Sequence, residues 1–131
     1  SAEGADAQVL ERKIADVKNL LLAVAKEASL STLAQEVHQQ VLGQLLNTHS
    51  ELEAIWTNGV DGRFIVSLPP AGIANAGSRD WFKQAIQGEV YTSAVYISAI
   101  SSQPCITISV PLKKGEDIIG VLGADLKLTA E

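Results

Sequence analysis

The length, composition and charge of this chain indicate one globular domain and exclude several classes of protein. The chain has 131 residues, of which 47% are hydrophobic and 19% are charged, a balance typical of a single domain with a sizeable core. Its net charge of −5 excludes the basic surface that nucleic-acid binding requires. The single cysteine excludes an internal disulfide, and no apolar run reaches the ~20 residues of a membrane-spanning helix.

The first third of the chain, residues 5 to about 47, predicts two helices. Apolar residues of the first helix follow a heptad spacing, which is typical of a helix that packs against a partner helix. These residues are Leu10, Ile14, Val17, Leu21, Val24 and Ala28. Leu20 and Leu22 widen the apolar face, so the helix could serve both a second copy and its own domain. Hydroxyl residues between positions 29 and 32 interrupt the pattern and offer N-caps for a second helix over residues 33–45.

After these helices the pattern changes to the alternation that is typical of strands. Two strands are predicted, around residues 52–56 and 64–66, with Asn-Gly and Asp-Gly turn dipeptides between them. A loop of small residues, 71–77, then leads to a helix for which Ser78 is the predicted N-cap and Gly88 the C-terminal stop.

Three further strands are predicted at about residues 90–99, 104–112 and 117–128. The short turns between them require antiparallel hairpins. The order is therefore a long helix, a shorter helix, and five strands with one helix inserted after the second strand.

One short segment combines a fixed cation with two aromatic rings, at Arg79, Trp81 and Phe82. The planar guanidinium of arginine matches a carboxylate with two parallel hydrogen bonds, and neighbouring rings shield such a contact from water. Asp125 in the last strand could hold an amine, or it could only pair with Arg79. The plain alternative for the segment is a surface charge beside two core rings.

The alternation of side chains along strands predicts which hydroxyl groups lie together. Residues two apart in a strand face the same side, so Ser98 shares the face of Tyr96, and Thr107 shares that of Ser109 and Cys105. If Tyr96 faces a pocket, Ser98 does too, and Thr107 could join them to bind a carboxylate. A solvated strand face is the alternative for Thr107 and Ser109. Cys105 is predicted to be a small apolar filler.

The remaining residues favour neither catalysis nor metal binding. His38 and His49 are not at metal-ligand spacing, and both are expected at the surface. The chain has no nucleophile elbow, glycine-rich phosphate loop or haem-attachment motif. We therefore expect no enzyme, no catalytic residue, no cofactor and no metal site.

These features, in this order, resemble the Cache family, the extracytoplasmic PAS-like sensor domains. The resemblance covers nearly the whole chain and includes the long first helix, the Asp61-Gly62 turn, Arg79-x-Trp81-Phe82, Tyr96 and the strand motifs at residues 106–111 and 120–126. With one PAS-like unit, the chain resembles the single-Cache class. The resemblance implies an α+β fold, with a long N-terminal helix packed on a five-stranded antiparallel sheet. Residues 1–50 would form the signalling and dimerisation segment, and residues 51–131 the ligand-binding part.

The resemblance also implies a function. Such a domain is the extracytoplasmic, periplasmic sensor of an inner-membrane chemoreceptor or sensor histidine kinase. It would form a homodimer through its N-terminal helix and be tethered by membrane segments outside this chain. The expected ligand is a small organic acid, with an amino acid as the runner-up. A PAS-like module that only dimerises, without a ligand, is the alternative function, and a cytoplasmic PAS or GAF-type module is a weaker one.

Carried over one residue at a time, the resemblance assigns the ligand carboxylate to Arg79 and its aromatic surroundings to Trp81 and Phe82. It assigns a ligand-facing role to Tyr96 and the ligand amine to Asp125. Two positions differ from the amino-acid-binding members of the family. Ala74 stands near their additional tyrosine, and Ser98 stands where they have a second aspartate. The loss of that carboxylate favours organic acids over amino acids.

Overall fold

A central antiparallel sheet divides the molecule into two layers. The structure is a computed structural model that describes residues 2–128. Its helices are α1 (Ala2–Val24), α2 (Gln35–Thr48) and α3 (Asp80–Ile86), with a 3-10 turn at Ala28–Thr32 between the first two. Its strands are β1 (Leu52–Gly59), β2 (Phe64–Leu68), β3 (Tyr91–Thr92), β4 (Tyr96–Ile97), β5 (Pro104–Lys114) and β6 (Asp117–Lys127). No helix within the described range is long and apolar enough to cross a membrane.

The sheet has the order β2-β1-β6-β5-β3, and β4 also pairs with β5. Every pairing is antiparallel, which confirms the predicted α+β architecture and its hairpins. The expectation of five strands was wrong, because the strand predicted at residues 90–99 is divided into β3 and β4. Between them, the Ser93 hydroxyl accepts a hydrogen bond from the backbone N–H of Thr107 at 2.8 Å. The Ser93 side chain thus replaces the backbone carbonyl that would accept this bond in a regular strand pair, and the pairing with β5 is interrupted there.

One face of the sheet carries the main core. Val17, Leu21 and Val24 of α1 are almost fully buried and belong to the same cluster as Ile108 and Leu122 of the sheet. Part of the heptad pattern therefore packs against the protein's own domain. The pattern also ends earlier than predicted, because α1 stops at Val24 and Ala28 lies in the 3-10 turn.

Both predicted N-caps were wrong. Helix α2 begins after Ala34 without a side-chain cap, because Leu33 adopts a left-handed φ of 56° that separates the hydroxyl residues from the helix. Helix α3 has Arg79, not Ser78, at the N-cap position. The turn before it is held instead by Asn75, whose Oδ1 accepts a hydrogen bond from the N–H of Gly77 at 2.7 Å. Gly88 follows α3 with a φ of 101°, which agrees with the predicted stop.

His38 was expected at the surface and is instead fully buried. Its Nε2 lies 2.9 Å from the carbonyl of Leu30, and its Nδ1 lies 2.8 Å from Oγ1 of Thr57. A carbonyl can only accept, so Nε2 carries the proton and the Thr57 hydroxyl donates to Nδ1. Burial lowers the pKa of His38, while the bond to Leu30 acts in the opposite direction. The neutral ring thus joins α2 to the 3-10 turn and to β1.

Candidate functional site

A cavity of about 260 Å³ lies on the face of the sheet opposite to α1 and α2. Its polar floor comes from adjacent strands, since Asp125 of β6 pairs with Ala54 of β1 on one side and with Thr107 of β5 on the other. Helix α3 and the loops at residues 69–72 and 98–100 form the walls. A cavity of this size is suited to a ligand smaller than a typical drug molecule.

Aromatic rings form the apolar end of the cavity. The Trp56 and Trp81 rings meet edge to face with centroids 5.1 Å apart, and the centroid of Phe64 lies 6.2 Å from that of Trp81. The Trp56 ring covers Gly123 so closely that a Cβ there would lie 2.6 Å from the indole. Glycine at position 123 is therefore what allows Trp56 to lie flat against β6.

Helix α3 is attached to the sheet beneath it. Ser109 of β5 donates a hydrogen bond from Oγ to the Trp81 carbonyl at 2.7 Å, which sets the position of this ring above the sheet. Ser109 and Thr107 are both buried. The alternative of a solvated face for these two residues was therefore wrong.

Asp125 provides the polar end of the cavity. Its Oδ1 accepts hydrogen bonds from Oγ1 of Thr107 at 2.8 Å and from the Tyr96 hydroxyl at 3.2 Å. These two hydroxyls are also 2.7 Å apart. Both bonds end on Oδ1, and Oδ2 has no hydrogen-bond partner within residues 2–128. One carboxylate oxygen is therefore left to accept a bond from a ligand.

Burial changes the pKa of the Asp125 carboxyl group. It raises the pKa of Asp125 above the ordinary 3.8; the bonds from Thr107 and Tyr96 oppose the rise, and the negative charge of Glu53 adds to it. Burial likewise raises the pKa of the Tyr96 phenol, which therefore stays a hydrogen-bond donor. An uncompensated, half-buried carboxylate of this kind is stabilised by a ligand cation.

Arg79 lies outside this cavity in the present structure. Its exposed side chain borders a neighbouring groove with Tyr91 and Ser93. The groove and the cavity share the side chains of Trp81, Tyr96 and Thr107 as a common wall. Within the described residues the one ion pair joins Arg63 to Asp61, so Asp125 and Arg79 are not paired with each other.

The other predicted site residues fall into two groups. Trp81, Tyr96, Ser98, Thr107 and Asp125 all line the cavity. Phe82 does not. It is 6% exposed and packs with Ala76, Ala85 and Val121 beneath α3. The predicted aromatic pair is thus divided, because successive residues of a helix point in different directions.

Ser98 lines the cavity, but its hydroxyl is already fully engaged. It donates to Oε1 of Glu53 and accepts from the N–H groups of Ile100 at 3.0 Å and Ser101 at 3.3 Å. A hydroxyl has one donor and two acceptor positions, so none remains for a ligand. The sequence interpretation missed Glu53 and also Trp56. The strand alternation that places Trp56 on the same face as Ala54 was a usable signal for the second.

Comparisons with known proteins agree with this architecture. Residues 67–130 match the family model for the first PDC sensor domain of methyl-accepting chemotaxis protein-like receptors. A probable methyl-accepting chemotaxis protein of Bacillus thuringiensis subsp. konkukian is 41% identical over 93 residues, which are 67% of this chain and 14% of that protein. The chain therefore spans only a small part of this relative.

Solved structures show the same fold. The sensor domain of the Vibrio cholerae histidine kinase DctB superposes with a TM-score of 0.79 at 15% identity, covering 96% of this chain and 53% of that one. A second match is the ligand-binding domain of the Pseudomonas aeruginosa PAO1 amino acid chemoreceptor PctC in complex with GABA. It superposes with a TM-score of 0.76 at 16% identity, covering 95% of this chain and 58% of that one. Residues 67–130 thus match a family of PDC, or Cache, sensor domains, and the chain as a whole shares the fold of such domains.

Proposed function

We propose that this chain is the extracytoplasmic ligand-binding domain of a bacterial membrane chemoreceptor. We further propose that its cavity binds a small metabolite that carries both a carboxylate and an amine. This proposal rests on Oδ2 of Asp125, which has no hydrogen-bond partner among residues 2–128 and is therefore an available acceptor in a cavity of about 260 Å³.

The charge of the cavity favours an amino acid over a plain organic acid. Its polar end has Asp125, with Glu53 nearby, and none of the described residues that line its walls is basic. A dicarboxylate would place a second negative charge against Asp125, which is unfavourable in a partly buried site. An ammonium group would neutralise that carboxylate. The geometry thus supports the runner-up ligand class of the sequence interpretation over organic acids without an amine.

Arg79 is the proposed partner of the ligand carboxylate. Its side chain borders the groove that shares a wall with the cavity, so a ligand held at Asp125 would extend past Trp81 toward it. Arginine is suited to this role because its charge is permanent and its donors match a carboxylate in pairs. The complex of PctC with GABA supports this class, since GABA carries an amine and a carboxylate at opposite ends.

The match to a probable methyl-accepting chemotaxis protein supports a receptor. We propose that residues 1–50 serve signalling in it and that flanking segments outside this chain anchor the protein in the inner membrane. We propose a homodimer through the first half of α1. Val9 is 59% exposed there, whereas Val17, Leu21 and Val24 farther along the helix are buried in the domain.

Calorimetric titration with the amino acids, GABA and their deaminated analogues tests the ligand class. Asp125→Asn should weaken the binding of amine-bearing ligands about tenfold or more, because a charge-assisted hydrogen bond contributes about 1.5–3 kcal/mol. The deaminated analogues should be affected much less. Asp117→Asn is the matched control, since this exposed aspartate lies at the start of the same strand and away from the cavity.

Two results would contradict the proposal. If the wild-type domain binds none of these compounds, the ligand class is wrong and the alternative of a ligand-free dimerisation module gains support. If Asp125→Asn binds amino acids as tightly as the wild type, Asp125 does not hold the amine.

A further inference from the structure

Glu53 has an unusual place in the sheet. The pairing of β1 with β6 joins Leu52 to Leu126 and Ala54 to Asp125, and its register shifts between these two pairs. Glu53 is the extra residue, and it has no cross-strand partner in the described part of the sheet. A bulge of this kind redirects a side chain that a regular strand would hold elsewhere, and bulges are frequent beside functional sites.

The redirected carboxylate contacts the wall of the cavity. Its Oε1 accepts the hydrogen bond from the Ser98 hydroxyl, while its Oε2 is buried and has no hydrogen-bond partner within residues 2–128. A buried carboxylate oxygen without a partner is costly. Glu53 is therefore a second negative group near Asp125 that a nearby positive charge would stabilise.

Glu53 also holds one wall in place. The Ser98 hydroxyl that it binds accepts bonds from the backbone of Ile100 and Ser101, and residues 98–100 border the cavity. Because all positions of that hydroxyl are occupied, Ser98 connects Glu53 to the loop rather than contacting a ligand. The charge of Glu53 and its attachment of the loop are separable, since glutamine keeps the acceptor oxygen and loses the charge.

We propose that Glu53 is a specificity-determining residue of the cavity: from its bulge behind Ser98, it increases the preference for ligands that carry an ammonium group. It acts through space, as a second fixed negative charge beyond Asp125. This inference rests on the proposed function, because it concerns the amine of the same ligand. The negative charge of Glu53 also adds to the rise in the pKa of Asp125, which agrees with an influence at the polar end of the cavity.

Titration of the Glu53→Gln domain with matched pairs, L-alanine with propionate and GABA with butyrate among them, measures the effect. The amine-bearing member of a bound pair should weaken roughly tenfold, as expected for the loss of a nearby charge in a medium of intermediate dielectric. The deaminated member should bind equally well or better. Glu51→Gln removes a charge two residues away, before β1 begins, and should leave the ratio within each pair unchanged.

Ser98→Ala separates the two roles of Glu53. This variant releases the loop but keeps the carboxylate, so both members of a pair should weaken by a similar factor. A Glu53→Gln variant that weakens both members equally would overturn the inference, because Glu53 would then act only by holding the loop.

A ligand-free measurement keeps the inference separate from the proposed function. In the NMR titration of the Asp125 carboxyl carbon, Glu53→Gln should lower the pKa of Asp125, whereas Glu51→Gln should not. An unchanged Asp125 titration would overturn the inference even if amino acids bind. If Glu53→Gln lowers the pKa of Asp125 but the wild-type domain binds no amine, the proposed ligand class is wrong, whereas the electrostatic effect of Glu53 on the cavity is confirmed.

Discussion

At the scale of single residues, a predicted role and an observed position can differ while the residue remains important. Arg79 was chosen from the sequence for its chemistry, and the structure places it in the groove beside the cavity rather than within it. A contact between Arg79 and a ligand in the cavity requires the arginine side chain to change rotamer, at a modest cost in side-chain entropy. Its proposed contact with a ligand is therefore formed on binding.

Arg79→Ala should weaken the binding of carboxylate ligands by about 1.5–3 kcal/mol, because a charge-assisted hydrogen bond is lost. Calorimetry with the best amino-acid ligand measures this change. Arg63→Ala serves as the control, since Arg63 is also exposed but is paired with Asp61 and does not line the cavity. Equal affinity in the Arg79→Ala and wild-type domains would remove Arg79 from the site.

His38 should make the stability of the domain depend on pH. The folded state holds the neutral ring, so its pKa lies below the ordinary 6.5. Below pH 6.5 the unfolded chain binds more protons at this residue than the folded protein does. The free energy of unfolding should therefore fall as the pH decreases from 6.5 toward the lowered pKa, and should not depend on His38 at higher pH.

Denaturant unfolding at a series of pH values tests this dependence. The slope below pH 6.5 should be smaller in His38→Gln than in the wild type. Asp125, whose raised pKa acts with the opposite sign from pH 3.8 upward, is present in both proteins and cancels in the comparison. Equal slopes in His38→Gln and the wild type would show that His38 is not held neutral.

At the scale of elements, helix α1 shows how one apolar pattern can serve different surfaces along its length. Its later part, with Val17, Leu21 and Val24, covers the sheet, and Val9 nearer the N-terminus is exposed. A heptad spacing and an amphipathic surface helix share most of their apolar positions, so the spacing alone cannot tell a partner helix from a sheet.

Leu21→Ala should therefore destabilise the isolated domain by about 2–5 kcal/mol, because it leaves a cavity beneath α1. Val9→Ala should change the stability by less than about 0.5 kcal/mol, as is usual for an exposed position. Chemical denaturation of dilute protein compares the two. A small effect of Leu21→Ala would mean that α1 does not pack on the sheet in solution.

At the scale of the whole molecule, the two faces of the sheet have different roles. One face carries the helical core, and the other carries the cavity, with β6 contributing to both. Ala124 and Leu126 face the core, while Asp125 between them faces the cavity. Ligand binding at Asp125 therefore acts on a strand against which α1 packs. In the proposed homodimer, a ligand would act by favouring one of two arrangements of the α1 helices.

Cysteine crosslinking in the full-length receptor tests the proposed homodimer. Val9→Cys should form a crosslink between two copies, and its yield should change with a bound amino acid. Val17→Cys should not, because this side chain is buried within its own domain. The native Cys105 is also buried and should not interfere. No crosslink at position 9 in either state would exclude this surface from the dimer.

The sequence by itself determined the order of helices and strands, the antiparallel hairpins and the residues that share a strand face. These features depend on local periodicity and on turn residues, which act between near neighbours in the chain. The placement of Trp81, Tyr96, Thr107 and Asp125 around one space followed from the resemblance and from strand alternation, and these side chains do line one cavity.

Only the tertiary structure decided which groups from distant segments meet. The burial of His38 depends on a carbonyl at Leu30 and a hydroxyl at Thr57, and the bond between Glu53 and Ser98 spans 45 positions. The close contact of Trp56 with Gly123 requires that β1 and β6 be neighbours in one particular register. Such contacts arise from packing between elements, which leaves no local pattern in the sequence. The position of Glu53 behind the wall of the cavity therefore becomes visible only once the strands are in place.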